Sequence, residues 1–173
     1  YEHLLLATGA RARLFPAMAG CLTLRTNLDA QVILSRLTPG AKIGIIGGGF
    51  IGLELAARAR KADAEVTVVE AGPRLLGRAV PPQIAHVLQE RHSVEGVSLK
   101  LETGVVGATA NRIDLANGMS MDFDAVIAGV GALPETGLAE AAGLAVQNGI
   151  VVDRDFRTSA PHVFATGDCC SFD

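Results

Sequence analysis

Short apolar runs alternate with longer amphipathic segments over roughly the first hundred residues of the chain. An apolar run at residues 42–46 is followed by a segment, 50–62, with leucine and alanine at helical spacing, and then by a second short run, rich in valine, at 65–70. Such short runs favour buried strands, and apolar side chains three or four apart favour helices. Strand–helix–strand units of this length predict a parallel sheet with right-handed crossovers. The same reasoning predicts a strand at residues 4–7, a helix at 26–37 capped by Thr26, and a helix from Pro81-Pro82 to about Ser93.

The chain changes character after Gly96, where the apolar segments become shorter. Asn117-Gly118 predicts a type I′ hairpin turn, because both residues tolerate a positive φ. The predicted fold class is therefore α/β, with a parallel sheet, helices on both of its faces and a small antiparallel β-meander. The predicted short strands of this part lie at residues 97–102, 105–110, 112–115, 119–123, 124–129, 149–153 and 162–166.

Composition narrows the class of protein. Of 173 residues, 49% are hydrophobic and 19% are charged, which suits a buried core and excludes intrinsic disorder. The net charge of −3 provides no basic footprint for nucleic acid, and the apolar runs fall well short of the roughly 18 residues that span a bilayer. We therefore expect a cytoplasmic protein with neither nucleic acid nor a membrane as a partner.

The cysteines and histidines indicate no reactive or metal-binding site. Three cysteines do not make a disulfide framework, and none lies in a C-x-x-C pair or a Cys/His cluster at zinc spacing. The four histidines share no spacing with each other or with a nucleophile. No catalytic side chain and no metal site are predicted in this chain.

The most informative motif lies directly after the strand predicted at residues 42–46. Gly47, Gly49 and Gly52 form the pattern G-x-G-x-x-G, which here follows a strand and opens a helix. Gly47 permits the tight turn, Gly49 lets the backbone approach a pyrophosphate, and Gly52 lets the helix pack closely on the strand. The helix beginning near Phe50 offers free N–H groups to the phosphates. These features predict a Rossmann-like dinucleotide site, although a glycine-rich turn that binds nothing is the simpler alternative.

A carboxylate at the end of the next strand indicates which dinucleotide is bound. Glu70 lies 18 residues after Gly52, where it can accept a hydrogen bond from a ribose 2′-hydroxyl and repel a 2′-phosphate. Arg74 and Arg78 follow closely, and their guanidinium groups are good phosphate partners that could soften this preference. The sequence therefore predicts NAD in preference to NADP.

Four motifs in a fixed order resemble a known family. Ala7-Thr8-Gly9-Ala10-Arg11, the glycine loop, Gly129-Val130-Gly131-Ala132-Leu133-Pro134 and Thr166-Gly167-Asp168-Cys169 occur in this order. The order resembles that of the two-dinucleotide-fold flavoprotein reductases, the group that includes glutathione reductase. Two segments are most similar in sequence to those of NADH-dependent ferredoxin and rubredoxin reductases. They are Gly-Gly-Gly-Phe-Ile-Gly-Leu-Glu and, after it, Val-Val-Glu-Ala-Gly-Pro-Arg-Leu-Leu. The resemblance extends over nearly the whole chain.

The resemblance implies an enzyme that passes a hydride from NADH to FAD and electrons onward to a ferredoxin or rubredoxin. Residues 41–130 would form the NAD-binding domain, 1–40 the end of an FAD-domain strand with a linker helix, and 131–173 the return into the FAD domain with its second motif. The first FAD fingerprint would precede Tyr1, so the chain is expected to be a fragment flanked by remnants of the FAD domain. Such a fragment would bind NADH but not FAD and would be inactive alone.

The same resemblance assigns roles residue by residue. Glu54 would help to orient the nicotinamide carboxamide, and Gly129 and Gly131 would let the nicotinamide half lie against the strand end. Arg11 would approach the flavin, and Asp168 would bond the ribityl or phosphate region of FAD. The implied NAD set is Gly47, Gly48, Gly49, Phe50, Ile51, Gly52, Glu54, Glu70, Arg74, Arg78, Gly129 and Gly131, and the FAD set is Thr8, Gly9, Arg11, Gly167 and Asp168.

Two further interpretations stay open at this point. An NADH oxidase, peroxidase or disulfide reductase of the same superfamily would carry a reactive cysteine upstream of Tyr1. A stand-alone NAD-binding module that senses redox state without catalysis would lack the first FAD fingerprint. A structural domain that binds no dinucleotide is the least favoured interpretation.

Overall fold

A computed structural model describes residues 1–77 and 79–172 of the chain. The strands are β1 (Leu4–Leu6), β2 (Ala10–Ala12), β3 (Lys42–Ile46), β4 (Glu65–Val69), β5 (Val97–Lys100), β6 (Val105–Ala108), β7 (Arg112–Leu115), β8 (Ser120–Asp122), β9 (Ala125–Ala128), β10 (Ala132–Pro134), β11 (Ile150–Val152), β12 (Val163–Ala165) and β13 (Cys170–Phe172). The α-helices are α1 (Asn27–Arg36), α2 (Phe50–Arg60), α3 (Pro82–Val94) and α4 (Gly137–Ala141). Short 3-10 turns lie at Pro16–Met18 and Gly167–Cys169.

The chain forms two compact units. The larger unit is Leu14–Val130, and the smaller unit combines Tyr1–Arg13 with Gly131–Asp173. No helix in the part of the chain that the structure describes is both long and apolar enough to cross a membrane.

A four-stranded parallel sheet forms the centre of the larger unit, with strand order β5-β4-β3-β9. Its strands are short and apolar, and successive side chains point to opposite faces. On one face Ile43 and Ile45 of β3 pack against Ile33 of α1 and Ala56 of α2. Helix α3 joins the same face, where Leu88 packs with α2 and β5 side chains. The parallel sheet predicted from the alternating pattern is confirmed.

The other face of this sheet is covered by a second sheet rather than by α-helices. Strands β6, β7 and β8 pair antiparallel, and Ile113 and Leu115 of β7 pack with Ile46 and Val126 of the parallel sheet. The mixed α/β class stands, but the expectation of helices on both faces holds for one face only. The reason is that β7 alternates buried and partly exposed residues, so the meander itself supplies an apolar face.

The turn between β7 and β8 also differs from the predicted type I′ geometry. Gly118 has a φ of +84°, whereas Asn117 is not among the residues with a positive φ. Gly118 N donates to Leu115 O at 3.0 Å and Leu115 N donates to Met119 O at 2.8 Å. Asn117 instead uses its side-chain oxygen to accept from Met119 N at 3.1 Å. Asn117 thus forms a local side-chain turn, and the positive φ falls on Gly118.

Among its described residues, the smaller unit contains three strand pairs. β1 pairs with β12 in parallel, β2 with β10 antiparallel, and β11 with β13 in parallel. Its core combines Leu6, Ile150, Val152, Ala165 and Cys169, all buried. The three cysteines of the chain are free thiols.

Candidate functional site

The glycine loop of the larger unit lies at the carboxyl ends of β3, β4 and β9. Gly47 N donates to Val69 O at 2.8 Å, and Gly129 N donates to Ile46 O at 2.7 Å. These two bonds tie β4 and β9, the strands on either side of β3, to the point where β3 ends and the loop begins. Ligands of open parallel sheets bind at this edge, because the strand ends and the following helix N-terminus converge there.

Two of the glycines are required by close backbone contacts within the loop. Gly47 has a φ of +103°, and a Cβ placed there would lie 2.4 Å from Gly129 O. A Cβ at Gly52 would lie 2.1 Å from Gly47 O. Both distances are far below van der Waals contact, so an alanine at either position would push the loop away from the sheet. The turn and packing roles predicted for Gly47 and Gly52 thus have a direct geometric basis.

Gly49 occupies a different environment. A Cβ at Gly49 would meet no atom within 4 Å, so the packing of the chain does not require glycine there. Gly49 is the N-cap of α2 and provides no side-chain cap for its first turn. The first N–H groups of α2 thus have no side-chain cap from Gly49 and lie at the positive end of the helix dipole, which is a suitable place for a phosphate. Phe50 and Ile51 flank this space and are 56% and 48% exposed.

Glu70 follows β4, and each oxygen of its carboxylate accepts a hydrogen bond from a backbone amide. Its Oε2 accepts from Gly48 N at 2.7 Å and its Oε1 accepts from Gly72 N at 2.7 Å. A carboxylate has about four acceptor positions, so two of them are used by the protein and the others can receive the hydroxyls of a ribose. The structure therefore brings Glu70 and the glycine loop together, as the sequence pattern requires.

The remaining residues of the predicted NAD set differ in their exposure and in their hydrogen-bond partners. Arg74 is half-buried and donates from its guanidinium to Val80 O at 2.9 Å and Gly77 O at 2.6 Å. Glu54 is exposed on α2. Arg78 lies outside the described residues.

Gly131 belongs to the smaller unit, unlike the other described members of the NAD set. It has a φ of +109°, and its carbonyl accepts from Arg13 N at 2.9 Å. Glycine is favoured there by backbone conformation, whether or not a ligand is present.

Three residues of the predicted FAD set meet one residue that the sequence motifs do not single out. Glu135 accepts from the Arg11 guanidinium at 2.9 Å, its carbonyl accepts from the Thr8 hydroxyl, and its N–H donates to Gly9 O at 2.9 Å. Glu135 directly follows the Gly129–Pro134 motif, and this position is the one signal that could have identified it. The link arises because β10 pairs with β2.

The other two residues of that set lie in the 3-10 turn after β12. Gly167 has a φ of +78° with open space where a Cβ would project, and Asp168 is exposed. Cys170 follows, and burial together with the neighbouring Cys169 thiol raises the pKa of its own thiol. Cys170 therefore stays protonated at neutral pH and is a poor nucleophile.

Comparisons with known proteins identify the family of this chain. The family described as pyridine nucleotide-disulphide oxidoreductase matches residues 1–172. A rubredoxin-NAD(+) reductase of Pseudomonas putida is 40% identical, with 98% of this chain and 46% of that protein covered. A rhodocoxin reductase of Rhodococcus erythropolis is also 40% identical, with 99% of this chain and 42% of that protein covered.

A solved structure is similar over the same length. The reductase in the crystal structure of a covalent putidaredoxin reductase–putidaredoxin complex is 37% identical with a TM-score of 0.93, covering 99% of this chain and 45% of that chain. The chain thus spans a little under half the length of these relatives. Because the family match extends over residues 1–172 and the glycine loop has the geometry described above, the chain belongs to the pyridine nucleotide-disulphide oxidoreductase family.

Proposed function

We propose that the glycine loop and the N-terminus of α2 bind the pyrophosphate of NADH. The observation that carries this proposal is the contrast among three glycines. Gly47 and Gly52 are needed to pack the loop on the sheet, whereas Gly49 has open space on its Cβ side. Absence of a side chain at an unconstrained N-cap is explained by a ligand that approaches the backbone there.

Glu70 supports NADH over NADPH as the coenzyme. The hydrogen bonds from two backbone amides fix the carboxylate of Glu70 beside Gly48. Its remaining acceptor positions can receive ribose hydroxyls. A 2′-phosphate would bring a second negative charge to the same position, and like charges at close range repel. The backbones of Gly48 and Gly129 also line this proposed site. The α2 residues that line it are Phe50, Ile51 and Glu54.

We propose further that the protein works as an NADH-dependent reductase whose electrons pass through FAD to a ferredoxin or rubredoxin. The relatives named above are rubredoxin and rhodocoxin reductases, and the solved relative is captured with putidaredoxin. When bound, FAD supplies the acceptor for the hydride of NADH and the donor for single electrons. Thr8, Gly9, Arg11, Gly167 and Asp168 are the residues of this chain that we assign to holding it.

The open space beside Gly167 and the exposure of Asp168 to solvent fit that assignment. We also propose a cytoplasmic location, where the three free thiols are stable in reduced form. Glu135 would hold Arg11 and Thr8 in place beside the flavin.

A direct titration tests the coenzyme proposal. The chain has no tryptophan, so NADH fluorescence can be followed with little protein background. We expect saturable 1:1 binding of NADH, competition by ADP-ribose, and at least tenfold weaker binding of NADPH. Equal affinity for both coenzymes would contradict the role of Glu70, and absence of NADH binding would contradict the proposed site itself.

A further inference from the structure

Both polar backbone groups of Gly48, its N–H and its carbonyl, are linked by hydrogen bonds to the segment that follows β4. We call residues 71–77 the post-β4 loop. Gly48 N reaches this loop through Glu70, whose other carboxylate oxygen binds Gly72 N. Gly48 O accepts directly from Leu76 N at 2.9 Å. The conformation of Gly48 is therefore coupled to that of the post-β4 loop.

Side-chain packing strengthens the same coupling. Leu75 is fully buried, and its Cδ2 lies 2.6 Å from where a Cβ at Gly48 would be. Leu76 is also buried and has a φ of +52°, a left-handed conformation that a branched residue adopts only when its surroundings impose it. Something must hold the post-β4 loop in this conformation against the preference of Leu76.

Arg74 is positioned to do so. Its guanidinium donates to Gly77 O at 2.6 Å and to Val80 O at 2.9 Å, which lie on the far side of the Leu76 turn. Val80 N and Ala79 N both donate to Leu76 O. The planar fork of arginine can bridge two carbonyls at once, whereas the single ammonium of lysine has no such fixed geometry.

We propose that Arg74 is a positioning residue for the coenzyme site, which closes the post-β4 loop and thereby fixes Gly48 in the conformation that admits a pyrophosphate. This inference rests on the proposed function. It differs from the role suggested by sequence, in which Arg74 contacts a coenzyme phosphate. An arginine that binds a phosphate acts through its charge. A positioning arginine acts through the geometry of its hydrogen bonds to two carbonyl oxygens.

The substitutions Arg74→Lys and Arg74→Met separate these roles, because lysine keeps the charge and loses the fork. NADH, NADPH and ADP-ribose are titrated into each purified variant. We expect both variants to bind all three at least fivefold more weakly than the unsubstituted protein, by similar factors. Arg58, exposed in the last turn of α2, provides the matched pair Arg58→Lys and Arg58→Met, which should stay within twofold.

Two results would overturn the positioning role. One is Arg74→Lys binding as tightly as the unsubstituted protein, and the other is Arg74→Met weakening NADPH alone. Failure of the unsubstituted protein to bind NADH would instead overturn the proposed function, and the two failures are thus distinct.

Amide hydrogen exchange tests the coupling without any ligand. Arg74→Lys should speed exchange of the Leu76 amide, which donates to Gly48 O, at least tenfold. The Ile45 amide in the buried strand β3 should keep its protection and so show that the sheet persists. Unchanged exchange at Leu76, with Ile45 protected, would overturn the inference.

Discussion

The substitution Gly49→Ala separates ligand binding from folding at the glycine loop. A Cβ at Gly49 meets nothing within 4 Å, and the backbone there has φ −82° and ψ −179°, which alanine adopts without strain. The folding cost is therefore that of an alanine N-cap, about 1 kcal/mol or less. The methyl group, however, occupies the space through which we expect a pyrophosphate to reach the α2 amides.

The expected loss of affinity follows from the contact that is blocked. A hydrogen bond to a charged group contributes about 1.5–3 kcal/mol, and about 1.4 kcal/mol corresponds to a tenfold change in affinity. Displacing the pyrophosphate from one amide should therefore weaken NADH binding by about 10- to 150-fold. Binding is measured by NADH fluorescence and stability by urea unfolding of the same samples.

Gly40→Ala is the matched control. Gly40 has a φ of +77° and open space around its Cβ position, and it precedes β3 at the opposite end from the glycine loop. Alanine there should cost about 1–2 kcal/mol of stability through backbone strain and leave NADH affinity unchanged. The reasoning is refuted if Gly49→Ala binds NADH within twofold of the unsubstituted protein, or if Gly40→Ala weakens binding equally.

Three further changes test other parts of the account. Gly52→Ala places a Cβ 2.1 Å from Gly47 O, so it should lower the free energy of unfolding by about 1–3 kcal/mol, and an unchanged urea midpoint would count against the close packing of α2 on the loop. Hydrogen bonds from the Thr26 and Arg25 backbone amides lower the pKa of Asp29, so its stabilisation is present above the unfolded pKa and lost as pH falls through the folded pKa. Asp29→Asn should thus lower the urea midpoint at pH 6, this difference should shrink as the pH falls through the folded pKa, and a pH-independent difference would contradict this. Glu70→Ala should weaken NADH by about tenfold or more and NADPH less, since it removes ribose acceptors and charge repulsion together, whereas an unchanged ratio of the two affinities would exclude it as the discriminating residue.

The central sheet could be predicted because its signals are local. β3, β4 and β9 are short segments rich in isoleucine, valine and alanine, as expected when both faces of a strand are covered. The glycine spacing and Glu70 then indicate the edge where we expect a ligand to bind. These features depend on residues close together in the chain, and the structure reproduces them.

The strands β2 and β10 could not be predicted, because they form only through partners distant in the chain. β2, Ala10–Ala12, pairs with β10, Ala132–Pro134, and three residues are too few to show a periodicity. The covering of the second sheet face was missed for a similar reason. Which element packs there depends on how the whole apolar face of β7 meets β3 and β9, and not on the pattern of any one segment.

The same limit applies within the site. A motif can assign Glu70 to a ribose, but it cannot show that both carboxylate oxygens already bind backbone amides. An arginine after such a strand is assigned to a phosphate only because guanidinium groups commonly bind phosphates. Its actual acceptors, Gly77 O and Val80 O, depend on the path of the loop, which follows from the burial of Leu75 and Leu76.

A crystal structure of the protein with NADH tests the central claim most directly. We expect the pyrophosphate oxygens within about 3 Å of the first amides of α2, beside Gly49, with the adenosine ribose on Glu70. A coenzyme bound elsewhere, or a loop at Gly49 filled by a side chain of the protein at saturating NADH, would contradict the account.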